Sequence, residues 1–168
     1  MTETEVLGIK EDIVEEINTE ERVISFRLND ELVGIDIKNV IKITKHMDIT
    51  PVPKTEEYIL GVMNLRGSIV PVVDLKKMLG LESDSEESRE FILVIDSDLG
   101  NIGLTVDEIV GATSINPEDI HSPPMNSIGI DPKYITGVVL ADNEEGNRDL
   151  LIMLDIEKLF SKKNEEEE

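Results

Sequence analysis

The chain has 168 residues, which suits one compact domain or two small ones. Only three Phe, two Tyr and no Trp are present, so a core must be built from aliphatic side chains. There is no cysteine, which excludes disulfides, thiolate metal sites and cysteine nucleophiles. A formal charge of −21 is repelled by phosphate backbones and anionic lipid, so nucleic acid is excluded as a partner, whereas a basic protein surface is steered toward it.

Residues 1–20 alternate acids with Val6, Ile9, Ile13 and Ile17 at helical spacing, which reads as a helical or disordered acidic arm, or as a partner helix docked on the fold. They lack the basic start and apolar block of a signal peptide, and no apolar run approaches the roughly 18–20 residues of a membrane span. The expectation is a soluble, cytoplasmic protein with no direct membrane insertion.

Period-two patterning then predicts strands. Residues 23–28 put Ile24, Phe26 and Leu28 on one face, Asn29-Asp30 form a turn with positive φ, and residues 32–37 return with Val33, Ile35 and Ile37. Residues 61–66 direct Met63 and Leu65 one way and Asn64 and Arg66 the other. Gly67 turns the chain into a strand over 68–73, whose Pro71 places it at an edge or a bulge. Asp74 caps a short helix over 75–79. Strands at 91–96, 102–106, 135–141 and 149–154 follow, and Asp155 caps a last helix over 156–161. The proline-bearing stretch 113–133 reads as a long irregular connection, and 162–168 as a solvated acidic tail.

Two copies of one module account for this order. Gly34-Ile35-Asp36-Ile37-Lys38-Asn39-Val40-Ile41 is matched by Gly103-Leu104-Thr105-Val106-Asp107-Glu108-Ile109-Val110. Tyr58 to Val62 is matched by Tyr134 to Val138, and Asp74 to Leu79 by Asp155 to Phe160. The matches stay collinear while the offset between copies grows slowly, as short loop insertions require. The organisation expected is an acidic arm (1–20), a first β-barrel module (21–90), a second (91–161) and a tail (162–168). Modules of this size are small for independent cores, so the two pack on each other. Whether strands cross between them stays open. The fold class is all-β, two small five-stranded barrels with short helices after Asp74 and Asp155.

Chemistry is hard to find. His46 and His121 stand alone and read as surface loop residues, without a second His at ligand spacing. No Gly-x-Ser-x-Gly elbow, phosphate-binding glycine loop or complete calcium loop occurs; Asp96-Ser97-Asp98 reads as a hairpin turn. No catalytic residue, metal or cofactor is expected. One segment is unusual: Gly61-Val62-Met63-Asn64-Leu65-Arg66-Gly67 sets an Arg beside a tight turn, and the second copy has none there. An exposed guanidinium suits protein recognition; a structural Arg bridging the modules is the alternative.

The run from Tyr58 to Leu75, centred on Asn64-Leu65-Arg66-Gly67 and followed by Val70-Pro71-Val72-Val73-Asp74, resembles the signature of the CheW family of chemotaxis coupling proteins. Gly34-Ile35-Asp36-Ile37, Thr50-Pro51-Val52-Pro53, Gly103 to Asp107 and Leu151 to Leu159 are similar too, so the resemblance spans roughly 21–161. It implies two SH3-like five-stranded barrels and a non-catalytic adaptor. The implied partners are the regulatory domain of a CheA-type histidine kinase and the cytoplasmic tip of a chemoreceptor (methyl-accepting chemotaxis protein), met in polar arrays. By position, Gly61, Val62, Asn64 and Gly67 fall on the implied kinase side, and Val40, Lys42, Arg66 and Ala112 on the receptor side. Lys42 stands where some relatives carry an acid. The alternatives are an adaptor of another chemosensory pathway, or a small-ligand-binding barrel enzyme that no residue constellation supports.

Overall fold

In a computed structural model, residues 21–45, 47–82, 91–123, 129–142 and 145–161 are described. The arm 1–20, the tail 162–168 and His46 lie outside them, as do the centre of the proline-bearing connection and part of the acidic turn after Asp142.

Ten strands are present: β1 (Glu21–Leu28), β2 (Glu31–Asp36), β3 (Val40–Lys45), β4 (Ile59–Leu65), β5 (Ser68–Asp74), β6 (Phe91–Ser97), β7 (Gly100–Val106), β8 (Glu108–Ile115), β9 (Ile135–Asp142) and β10 (Arg148–Leu154). Short helices α1 (Leu75–Met78) and α2 (Ile156–Leu159) follow β5 and β10. They start alike because Asp74 and Asp155 each accept a hydrogen bond from the backbone N–H three residues on, at 3.2 Å in both cases.

The strands form two five-stranded sheets, ordered β8-β1-β2-β10-β9 and β3-β6-β7-β5-β4. Each curls into a small SH3-like barrel. Replacing each strand by its repeat counterpart converts one order into the other, so the barrels share a pseudo-twofold relation. Neither sheet is drawn from one sequence copy. The β1–β2 hairpin of the first copy sits among β8, β9 and β10, and the β6–β7 hairpin of the second sits among β3, β4 and β5. Parallel ladders close the exchange, Leu151 to Met153 against Leu32 to Gly34 and Val72 to Asp74 against Gly103 to Thr105.

Because β1 and β2 are covered on both faces, their side chains divide between two cores. Ile24, Phe26, Leu28, Val33 and Ile35 face a central core shared with Leu93, Ile95, Ile102, Leu104 and Val106 of the other sheet. Val23 and Leu32 point into the first barrel with Ile115, Val139, Leu151 and Met153. Met63, Val70, Val72, Ile92 and Val94 fill the second. The modules therefore pack through a third core between two small ones, which supplies the apolar burial that a barrel of this size lacks alone.

Two strands exceed the sequence expectation: β3, and β8 over Glu108–Ile115, whose last residues fall in the stretch read as irregular. Both are end strands with half-buried and exposed residues in alternation, so neither shows a buried apolar row. Residues 32–37 stop as a strand at Asp36, where the carboxylate accepts from Lys38 N–H and starts a 3-10 turn over Ile37–Asn39. Pro71 is on neither an end strand nor a bulge. β5 lies between β7 and β4, but its ladder to β7 begins only at Val72, so the missing N–H faces an unpaired side.

Candidate protein-docking site

The Gly61–Gly67 segment is the N-terminal part of a β4–β5 hairpin with a two-residue turn. Arg66 (φ 52) and Gly67 (φ 87) both take left-handed conformations, as a type I′ hairpin requires. Asn64 Oδ1 accepts the Gly67 N–H at 2.8 Å and fixes the turn. The pairs Val62–Pro71 and Asn64–Ile69 share the outer face of the hairpin, while Met63 and Val70 point inward. Ile69 is 67% exposed. This outer face is a small apolar surface built on a rigid ladder, with a free guanidinium at its tip: Arg66 is exposed and makes no hydrogen bond or ion pair to a described residue. The bridging role considered for Arg66 thus has no contact behind it among the described residues.

Gly61 differs from its neighbours. It is buried, with φ 146, and a Cβ there would drive into the carbonyl oxygen of Thr50. Thr50 and Val62 exchange both backbone hydrogen bonds, at 2.8 and 2.9 Å, and clamp residues 50–51 over the strand. Glycine is therefore needed at Gly61 for close backbone approach. Of the four residues placed on the implied kinase side, Val62, Asn64 and Gly67 reach the surface and Gly61 supports them from beneath.

The residues placed on the receptor side lie on three elements. Val40 and Lys42 are half-buried on β3, Arg66 is in the β4–β5 turn, and Ala112 is exposed on β8. β3 and β4 end the same sheet on opposite sides, and β8 ends the other, so hydrogen-bonded connectivity does not bring the four together. Val40 packs on the central core, as does its repeat counterpart Ile109. The counterpart of Ala112 is Ile43. The pseudo-symmetric outward pairs are thus Ile41 with Val110 and Ile43 with Ala112. Sequence reading missed Ile41 and Ile43 because β3 itself was not seen.

One polar cluster joins the two barrels. Lys76 of α1 is buried, its ammonium 2.8 Å from Asp107 Oδ1 and 3.3 Å from Asn29 Oδ1. Asp107 Oδ2 accepts the Asn29 N–H at 2.7 Å. Asn29 (φ 58) occupies the β1–β2 turn, so the cluster ties the exchanged hairpin to both sequence copies. No group of three or more potential metal ligands occurs among the described residues, and none of their helices is long and apolar enough to cross a membrane.

Exchanged small barrels whose distinctive surfaces are exposed strand faces suit a scaffold, a protein that works by holding others. The comparisons agree. Residues 22–164 match the family model of the CheW-like domain. The chain is 36% identical over 152 residues to chemotaxis protein CheW of Treponema pallidum, covering 88% of this chain and 86% of that one. It is 32% identical over 139 residues to chemotaxis protein CheW of Thermotoga maritima, covering 82% and 86%. The crystal structure of the scaffolding protein TtCheW from Thermoanaerobacter tengcongensis superposes with a TM-score of 0.73 at 31% identity, over 84% of this chain and 92% of that one. The chain belongs to the CheW-like domain family, and its role is that of a chemotaxis adaptor.

Proposed function

We propose that this chain is a non-catalytic, two-sided adaptor that couples the cytoplasmic tips of chemoreceptors to a CheA-type histidine kinase, in the cytoplasm at receptor arrays. The observation that carries the reading is the outer face of the β4–β5 hairpin, where Val62, Ile69 and Pro71 are set on a rigid ladder beside the unpartnered Arg66. An exposed apolar patch rimmed by a polar residue such as Arg marks a protein-docking surface. This face takes the kinase regulatory domain. The receptor side comprises Val40 and Lys42 on β3, Ala112 on β8 and Arg66 in the β4–β5 turn; apart from Arg66 these lie on different strands from the first face, which lets both partners be held at once.

The test uses two surface variants. Ile69→Asp puts a charge in the first face and Ala112→Asp puts one on the second; both residues are exposed, so both proteins fold. Ile69→Asp should weaken binding of the isolated kinase regulatory domain by at least about tenfold, near 1.4 kcal/mol, and leave receptor-tip binding within about twofold. Ala112→Asp should do the reverse. Equal losses for both partners in both variants would sink the two-sided reading.

A further inference from the structure

We propose that the outer face of β3 is a docking surface for an acidic amphipathic segment, and that its occupant is residues 1–20 of this same chain. The first observation is a local reversal of charge. In a chain of net −21, residues 37–54 carry Lys38, Lys42, Lys45 and Lys54 against the single acid Asp48. The second is the state of the strand. β3 ends its sheet, Ile41 is 50% exposed and Ile43 39%, and Lys45 shares their exposed face, while Lys42 is half-buried on the opposite face. The repeat makes a built-in control. In β8, Val110 and Ala112 replace Ile41 and Ile43, while Asp107, Gly111 and Ser114 stand at the places of Lys38, Lys42 and Lys45. The basic, apolar face therefore exists on one barrel only.

Two exposed isoleucines with Lys45 on the same face, in a locally basic stretch of the chain, suit a segment with spaced apolar anchors and carboxylates around them. Residues 1–20 have that composition: Val6, Ile9, Ile13 and Ile17 at helical spacing, with seven carboxylates against one lysine. The acidic tail does not, because residues 162–168 contain no apolar side chain to cover Ile41 and Ile43.

The chain path places the segment beside the surface. β1 begins at Glu21, Val23 lies opposite Asp36, and the 3-10 turn Ile37–Asn39 packs on β1 and leads directly into Val40. Glu21, paired with Ile115 at the end of β8, thus enters the fold near both the end of β8 and the 3-10 turn that leads into β3. Twenty residues span about 30 Å as a helix, against about 20 Å for a six-residue strand, so reach is ample. A short tether gives an effective concentration on the order of millimolar, so a weak contact suffices. Val40 and Lys42 lie on this strand, and a docked segment competes there with a receptor tip. That consequence, unlike the docking, rests on the receptor-side reading given above.

The absence of cysteine lets the test be made on the full chain. A nitroxide is attached to Gly8→Cys, and backbone amide intensities are compared with the reduced label. Ile41–Lys45 should lose more than half their intensity. The loss should vanish in a Lys42→Glu/Lys45→Glu background and in about 0.5 M NaCl, where the screening length is on the order of 4 Å. Undiminished β3 signals, or an equal loss across Glu108–Ile115, would overturn the proposal. So would broadening of an unlabelled isotopic chain mixed with labelled chain, which would assign the contact to a second copy. In a separate titration, Ile9→Ser/Ile13→Ser should bind receptor tip at least threefold more tightly than wild type; equal affinity would overturn the competition. Broadening at β3 with no receptor binding by either protein would refute the receptor reading and leave the docking in place.

Discussion

Replacing Lys76 by Met should be among the most damaging single changes a polar residue of this chain can undergo. The Lys76 side chain is 3% exposed and that of Asp107 17%. At 2.8 Å and an effective dielectric of about 20, the gross attraction is about 6 kcal/mol, and desolvation of both ions cancels much of it. The variant removes the cation and leaves the anion. Removing one partner of a buried pair costs about 3–5 kcal/mol. Asp107 keeps its hydrogen bond from Asn29 and some contact with water, so the lower end applies, about 3 kcal/mol. For a chain of this size that lowers Tm by about 6–12 °C. Lys76→Met/Asp107→Asn leaves no ion behind and keeps an acceptor for the Asn29 N–H, and should recover about half of the loss. Urea unfolding followed by far-UV circular dichroism measures both. A cost below about 1 kcal/mol for the single variant would mean that the pair behaves as an exposed one. A double variant no better than the single one would mean that the stranded charge is not the cause.

Gly61→Ala should destabilise by more than about 2 kcal/mol, because positive φ and a backbone carbonyl both oppose the new methyl group. Gly137→Ala should cost less, since its φ is not positive and the backbone atom it meets, the His121 carbonyl oxygen, is 3.1 Å away rather than in hard overlap; urea midpoints decide the order. Asp155→Ala should cost about 1 kcal/mol by removing a helix cap. Asp74→Ala should cost more because the residue is fully buried, and thermal melts of the two variants compare them directly.

What was legible in the sequence follows from what hydrophobic patterning reports. Ile24, Phe26 and Leu28 alternate cleanly because one face of β1 meets a deep core, and the turn residues Asn29 and Gly67 adopt the positive φ their types favour. β3 and β8 were not legible because end strands half-bury their residues: in β3 the short alternation Ile41-Lys42-Ile43-Thr44 puts its isoleucines on the exposed face, and β8 has no clean alternation at all. The hairpin exchange was invisible for a different reason. Patterning tells which side of a strand is buried and never which strand lies beside it. The candidate site was partly legible: the Asn-Leu-Arg-Gly run pointed to the β4–β5 hairpin, but Ile69 and Pro71 on its return strand were needed to see the face, and Gly61 was hidden beneath it. Lys76 gave no signal, since one lysine of Leu75-Lys76-Lys77-Met78 looks like the other until the fold sets Asp107 against it.

The reciprocal placement of β1–β2 and β6–β7 has a mechanical consequence. Barrels joined only by a linker could swing apart at little cost, but here each holds a ribbon of the other copy, hydrogen-bonded on both sides. Separating them means tearing two ladders per ribbon, so no low-energy hinge exists between the halves. The distance and angle between the β4–β5 face and the outer faces of β3 and β8 are then set by sheet register and core packing. Two clients held as proposed above would thus be joined by a gauge block, with little displacement lost in internal give.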